Sequence, residues 1–157
     1  GFGSTVLAWN RTSKHMDGVQ MVELDELFAR SDIVSLHTAM TPETTHIADR
    51  HRLASMRAGA ALINTGRGLL VDEAALIEEV GTGRLNAGLD VFSVEPMRPG
   101  HPFLSQENAV LLPHVGSATA STRLAMVNRA LENLHAGMAG QALPYCANPA
   151  VYPISDS

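Results

Sequence analysis

The sequence predicts an α/β fold, a doubly wound sheet of parallel strands with helices between them. Two observations carry this. Short apolar runs recur along the chain, and several are apolar throughout rather than alternating, which suits parallel strands covered on both faces. Between them lie stretches with helical spacing, and strand alternating with helix is the signature of a parallel α/β sheet. At 157 residues the chain has the length of one domain.

Taken in order, the predicted strands are Val6–Trp9, Gln20–Val22, Ile33–Leu36, Ala60–Ile63, Ala87–Val91 and Val110–Leu112. The predicted helices between them are Leu24–Arg30, Arg50–Met56 and Asp72–Val80. Asp72 stands where an N-cap belongs, and Gly81 and Gly83 stand where that helix should stop. A last, longer helix is expected over Ser121–Ala139. Its apolar stripe of Leu124, Val127, Leu131, Leu134 and Met138 reads as core. The tail from Gln141 holds three prolines and is expected to be extended.

Composition removes several classes. Hydrophobic residues make up 45% of the chain, enough for a packed core, and charged residues only 17%, too few for a disordered acidic chain. The net charge of −5 is spread out, so no basic patch suggests a nucleic acid partner. No apolar run is long enough to span a bilayer, and no membrane partner is expected. The single cysteine, Cys146, permits no internal disulfide and fits a reducing cytoplasmic location. No cluster suggests a metal site.

In a doubly wound sheet the ligand sits beyond the carboxyl ends of the strands. Polar residues gather at those ends: Asn10-Arg11-Thr12, His37-Thr38, Asn64-Thr65-Gly66-Arg67-Gly68, Asp90 and Pro113-His114-Val115-Gly116. Arg67, between two glycines that let backbone approach a ligand, is able to hold a carboxylate through paired hydrogen bonds. A surface arginine in a glycine turn is the competing account. His114 is a side chain suited to proton transfer near neutral pH. Six other histidines show that the residue type alone means little, and position singles His114 out. Glu95, paired with His114, would orient the ring and favour its protonated form, although an isolated Glu-Pro is more often a solvated loop. A carboxylate anchor, a proton carrier and its carboxylate partner together imply redox chemistry on a small acid. The hydride must then come from a nicotinamide, because side chains supply none.

Three strings carry a family resemblance. Ile63-Asn-Thr-Gly-Arg-Gly-Leu-Leu-Val-Asp-Glu73, Ala87-Gly-Leu-Asp-Val-Phe-Ser-Val-Glu-Pro96 and Leu112-Pro-His-Val-Gly-Ser-Ala-Thr119 resemble the D-isomer-specific 2-hydroxyacid dehydrogenases. The third string, with Cys146-Ala-Asn-Pro149, looks most like their glyoxylate/hydroxypyruvate reductase branch. The resemblance covers nearly the whole chain. It implies that Arg67 binds the substrate carboxylate, that Glu95 pairs with His114, and that His114 is acid in reduction and base in oxidation. It further implies that Asp90 contacts the nicotinamide carboxamide, that Thr38, Thr65 and Gly66 line the coenzyme, and that Gly116 lies close to it. A small 2-keto or 2-hydroxy acid is the implied substrate, and a homodimer is the implied assembly.

Cofactor choice turns on the end of the first visible strand. Enzymes that use NAD usually place an acidic residue there. Here stand Asn10, Arg11 and Thr12, with no carboxylate to repel a 2′-phosphate and an arginine able to bind one. NADP is therefore the expected cofactor, with NAD as the second choice. An Arg11 that merely points to solvent is the competing account.

The sequence also departs from the family pattern. The fingerprint Gly-x-Gly-x-x-Gly is absent: Gly1-Phe2-Gly3 has Val6 at the third glycine's place, and Gly81-Thr82-Gly83 has Asn86 there. The expectation is a Rossmann-like sheet lacking its first strand and glycine-rich loop. Residues 1–140 would form a partial dinucleotide-binding domain, and 141–157 a tail toward an absent substrate domain. The strands at Val6 and Ile33 would then lack a shared neighbour and expose backbone edges, so stable folding of these residues alone is not expected. Ala39 replaces a usual proline, and Arg84–Asp90 is one residue short. Two other readings stand beside the enzyme: a nucleotide-binding module like the corepressors that share this fold, and an inactive remnant.

Overall fold

The computed structural model describes residues 3–12 and 14–151. The first two residues of Gly1-Phe2-Gly3 and the last six of the tail lie outside them. The chain forms two compact units, Gly1–His114 and Val115–Ser157.

In the first unit the strands are β1 (Val6–Ala8), β2 (Val19–Met21), β3 (Ile33–Leu36), β4 (Ala61–Asn64), β5 (Asn86–Leu89) and β6 (Ala109–Leu111). The helices are α1 (Leu24–Arg30), α2 (Arg50–Ser55) and α3 (Glu73–Gly81). Every predicted strand and helix is present, with ends moved by a residue or two. Two short 3₁₀ turns, Gly68–Leu70 and Pro102–Ser105, are additions that periodicity does not reveal.

All pairings are parallel, but they form two sheets. One is β1-β2 and the other β3-β4-β5-β6. β1 and β3 do not pair. Between them lies a cleft of about 600 Å³ lined by residues of β1, α1 and β3. As expected, these two strands share no neighbour, and a gap lies between them.

Register explains the core. Val34, Leu62 and Ala87 align across β3, β4 and β5, as do Leu36, Asn64 and Leu89 one pleat further on. These six are buried, and the five apolar ones form one core with Phe28 of α1, Leu53 of α2 and Leu76 of α3. The opposite face is more open: Ile33 and Val110 are both 67% exposed. Burial of the strands is therefore heaviest on the face that α1, α2 and α3 cover, and not equal on both faces.

α3 begins as the sequence suggested. The Asp72 carboxylate accepts from the Ala75 amide at 3.1 Å, satisfying one of the unpaired N–H groups of the first turn. After the helix, Gly83 adopts φ +74°, a left-handed conformation that suits glycine. Arg84 then donates to the carbonyls of Leu53 and Met56 at the end of α2, 2.5 Å each, and to Glu79 of α3. The short Arg84–Asp90 segment is in this way tied to both helices, and β5 keeps its register with β4.

The second unit holds α4 (Ala120–Met138), capped by Thr119, whose hydroxyl accepts from the Thr122 amide. Here one expectation fails. Leu124, Val127, Leu131, Leu134 and Met138 are not core, being 62%, 55%, 46%, 55% and 79% exposed. A 3.6-residue period fixes which side chains share a face, but not that anything in the same chain covers it. What packs on α4 uses other positions. The Asn133 side chain bonds the Tyr145 backbone in both directions, and the Arg129 guanidinium lies 5.1 Å from the Tyr145 ring centre. The tail is also not wholly extended, because Pro149–Val151 form a 3₁₀ turn. Among the described residues no helix is long and apolar enough to cross a membrane, and no cluster of His, Cys, Asp or Glu is arranged to hold a metal.

Candidate functional site

The parallel order β3-β4-β5-β6 brings four carboxyl ends side by side, with neighbouring strands about 4.8 Å apart. His37 and Thr38 follow β3, Thr65–Arg67 follow β4, Asp90 follows β5, and Pro113-His114 stand just beyond β6. These residues share one edge because parallel strands all end on one side.

Glu95 and His114 touch. The Glu95 Oε2 lies 2.8 Å from His114 Nδ1, and Oε1 accepts from the Phe92 amide at 3.0 Å. These bonds, first from His114 and then from Phe92, hold the Glu95 carboxyl below the ordinary glutamate range. It therefore stays charged to lower pH than a free glutamate. With Nδ1 engaged, Nε2 is the ring atom left to face a reactant. His114 itself has φ +54°, a left-handed backbone uncommon for a residue with a Cβ and often tolerated where a site requires it. Beside the pair is an apolar cleft of about 530 Å³ walled by Phe92, Met97, Leu104 and Leu112.

Arg67 sits on the neighbouring loop. Its Nη1 donates to the Gly66 carbonyl at 2.7 Å, and its side chain is exposed. The turn beneath it is built by Asn64, which is 1% exposed. Asn64 Oδ1 accepts from the Gly66 amide at 3.0 Å, and its Nδ2 donates to the Arg67 carbonyl at 2.9 Å. Asn64 fixes the turn that presents Arg67. In the sequence Asn64 is one of the polar residues just past the predicted strand, and a lone amide closing an apolar run is the only signal of its role.

The two glycines around Arg67 also answer to packing within the protein. A Cβ on Gly68 would stand 2.0 Å from the carbonyl carbon and oxygen of Phe92. A Cβ on Gly66 would meet the Leu70 side chain at 3.2 Å. Both glycines are thus required by close packing within the protein, Gly68 most strictly. Gly68 in particular lets the Arg67 loop lie directly on the loop that carries Glu95.

The cofactor candidates divide. Asn10, Arg11 and Thr38 line the cleft between β1 and β3 together. Asn10 Nδ2 donates to the Thr12 carbonyl at 2.6 Å, closing the turn that holds Arg11 and Thr12 at the surface. Thr38 Oγ1 is buried with no hydrogen-bond partner among the described residues, a polar atom left over for something else to satisfy. Thr65 is exposed at the end of β4. Asp90 is 3% exposed, and its amide donates to the Asn64 carbonyl at 3.0 Å. Gly116 belongs to the second unit, in an exposed turn next to the bond from the Ala118 amide to the Val115 carbonyl.

Residues 1–116 match the family model described as the NAD binding domain of D-isomer specific 2-hydroxyacid dehydrogenases. Among curated relatives, the glyoxylate/hydroxypyruvate reductase B of Serratia proteamaculans is 43% identical over 155 residues, covering 95% of this chain and 47% of that protein. The glyoxylate reductase of Aeropyrum pernix is 39% identical, covering 98% and 47%. Among solved structures, a Thermus thermophilus protein superposes with a TM-score of 0.87 at 46% identity, covering 91% of this chain and 46% of that one. An NADPH-dependent glyoxylate/hydroxypyruvate reductase from Sinorhizobium meliloti, in complex with NADP and malonate, gives 0.81 at 35% identity, covering 87% and 43%. The chain spans about half the length of the curated relatives it matches. By sequence across about three quarters of its length and by the arrangement of its parallel strands, this chain belongs to the D-isomer specific 2-hydroxyacid dehydrogenases, within their NAD-binding domain.

Proposed function

We propose that this chain forms the coenzyme half of a reductase that turns a small 2-keto acid, glyoxylate or hydroxypyruvate, into its 2-hydroxy acid. The observation that carries the reading is the 2.8 Å bond between Glu95 and His114 at the strand ends. A nicotinamide held at these strand ends would supply the hydride. The chain's own groups do the rest. Arg67 binds the substrate carboxylate through its guanidinium fork. His114 delivers a proton from Nε2 to the carbonyl oxygen, and Glu95 orients the ring and balances the charge it carries. In oxidation the same nitrogen takes the proton back.

The unpartnered Thr38 hydroxyl and the cleft it shares with Asn10 and Arg11 fit a polar dinucleotide beside β3. Arg11, with no carboxylate at the end of β1, favours NADPH over NADH. Thr12, Thr65, Gly66, Asp90 and Gly116 are the further coenzyme contacts of this reading, and a homodimer is its assembly. The test is reduction of hydroxypyruvate and glyoxylate followed by loss of nicotinamide absorbance, with NADPH and NADH compared. Activity is expected with NADPH the better donor. His114→Gln is expected to lower kcat by about 10²–10⁴-fold, the usual worth of a general acid. Binding of NADPH with no turnover of any 2-keto acid would overturn the enzyme in favour of a binding module.

A further inference from the structure

The loop from Val91 to His101 carries Glu95, yet no regular element holds it. Something must fix where Glu95 stands, and the donors on that loop converge on one carboxylate. Glu73, the first residue of α3, receives the Ser93 amide on Oε2 at 3.0 Å and the Ser93 hydroxyl on Oε1 at 2.7 Å. His101 Nε2 lies 3.3 Å from the same Oε1. His101 also receives the Phe103 amide on Nδ1 at 3.4 Å, and a nitrogen that accepts there cannot carry the proton. The Nε2–H tautomer follows, so the imidazole donates to Glu73. The three partners are half-buried: the Glu73 side chain is 20% and the His101 side chain 21% exposed.

We propose that Glu73 is a positioning residue for the Glu95–His114 pair, clamping both ends of the loop that presents Glu95. The inference rests on the reading of that pair as the acid–base machinery. Ser93 precedes Glu95 by two residues, and the Phe92 amide that Glu95 binds is the peptide next to the one Glu73 binds. Gly68 closes against the Phe92–Ser93 peptide from the other side. The loop is thus held between the α3 N-terminus and the Arg67 turn, and Glu73 couples the start of a buried helix to a charge at the strand ends. The alternative is a plain acidic residue in a helix's first turn, worth only its interaction with the helix dipole.

The test is made on the intact protein with Glu73→Gln and Ser93→Ala, reading three quantities: thermal stability, Phe92 amide exchange and the Glu95 carboxyl titration followed by NMR. Glu73→Gln keeps the side chain's shape but sets an amide NH₂ among donors. The expected result is Phe92 exchange faster by about tenfold and a Glu95 titration moved up toward that of an ordinary glutamate. Ser93→Ala leaves the helix charge in place and should give the same two changes, smaller. His114 and Asp90 are the other ionising groups that act on Glu95, and neither is altered. If Phe92 exchange and the Glu95 titration stay unchanged while stability falls, Glu73 is a helix-end charge only and the proposal is wrong. Should Glu73→Gln fail to fold, Ser93→Ala alone decides. None of these readouts needs turnover, so a protein that reduces no keto acid but shows the coupling would refute the enzyme reading and leave the clamp standing.

Discussion

Helices α3 and α4 look alike in sequence and end differently in the fold. Both are amphipathic, and both begin with a side-chain cap, Asp72 for one and Thr119 for the other. α3 buries Ala75, Leu76 and Val80 against β-strands and neighbouring helices, while α4 buries no residue at all. The difference teaches that a hydrophobic stripe specifies orientation only. Whether it stabilises anything depends on a covering surface, which for α3 is the single core of the first unit. It also ties α3 to the site, since Asp72 starts the helix and Glu73, its first residue, reaches the Glu95 loop.

The largest expected effect tests this contrast directly. Leu76 is fully buried and Leu131 is 46% exposed. Leu76→Ala should destabilise the fold by about 2–5 kcal/mol, the transfer and cavity cost of a core leucine. Leu131→Ala should stay within about 0.5 kcal/mol, as for a surface change. Denaturant unfolding of the two variants measures both. Equal losses would mean that the α4 stripe is covered in solution and that the contrast is false.

How much of this was legible without coordinates follows the same division. Strand and helix positions were readable because burial on a sheet leaves a continuous apolar run such as Ala61–Ile63, and a cap leaves Asp72 before an apolar stretch. The meeting of Glu95 with His114 was legible through the family resemblance, while topology alone placed only His114 at a strand end. What periodicity could not convey was partnership at a distance. Nothing near Glu73 in sequence points to Ser93 or His101, which lie 20 and 28 residues away. Gly68 is pressed on the Phe92 peptide, a contact only the folded chain defines. The α4 stripe misled for the converse reason, since a pattern within one helix says nothing of what lies opposite.

A middle-sized effect asks whether the two helices are equally well started. Asp72→Ala and Thr119→Ala each remove a cap bond, to the Ala75 amide at 3.1 Å and the Thr122 amide at 3.2 Å. Each loss is expected to cost its own helix about 1 kcal/mol. The readouts should differ. Asp72→Ala should lower the cooperative unfolding midpoint, because α3 is part of the core. Thr119→Ala should chiefly raise amide exchange in the first turn of α4, because no buried packing transmits the loss. A shared fall in the midpoint would show the two helices to be cooperatively linked.

The smallest effect is a shift in pH dependence, and it separates the region that α3 anchors from the rest of the chain. Glu95 is held below its ordinary range, first by the bond from His114 and next by the Phe92 amide. A carboxyl depressed in the folded state adds stability above its unfolded pKa and loses that contribution as pH falls through the lower folded value. His114→Ala removes the larger cause, so the Glu95 titration should move up, while the Phe92 bond keeps it from returning fully. Stability should then decline less steeply between neutral and acid pH than in the parent, since less is left to lose. The side chains of the pair are 35% and 50% exposed, so solvent screens much of the interaction and the change should be modest. Carboxyl NMR of Glu95 with unfolding followed from pH 7 to about pH 3 measures both parts. A Glu95 titration that His114→Ala leaves where it was would mean that the 2.8 Å contact carries no charge coupling, and that the loop alone sets the state of Glu95.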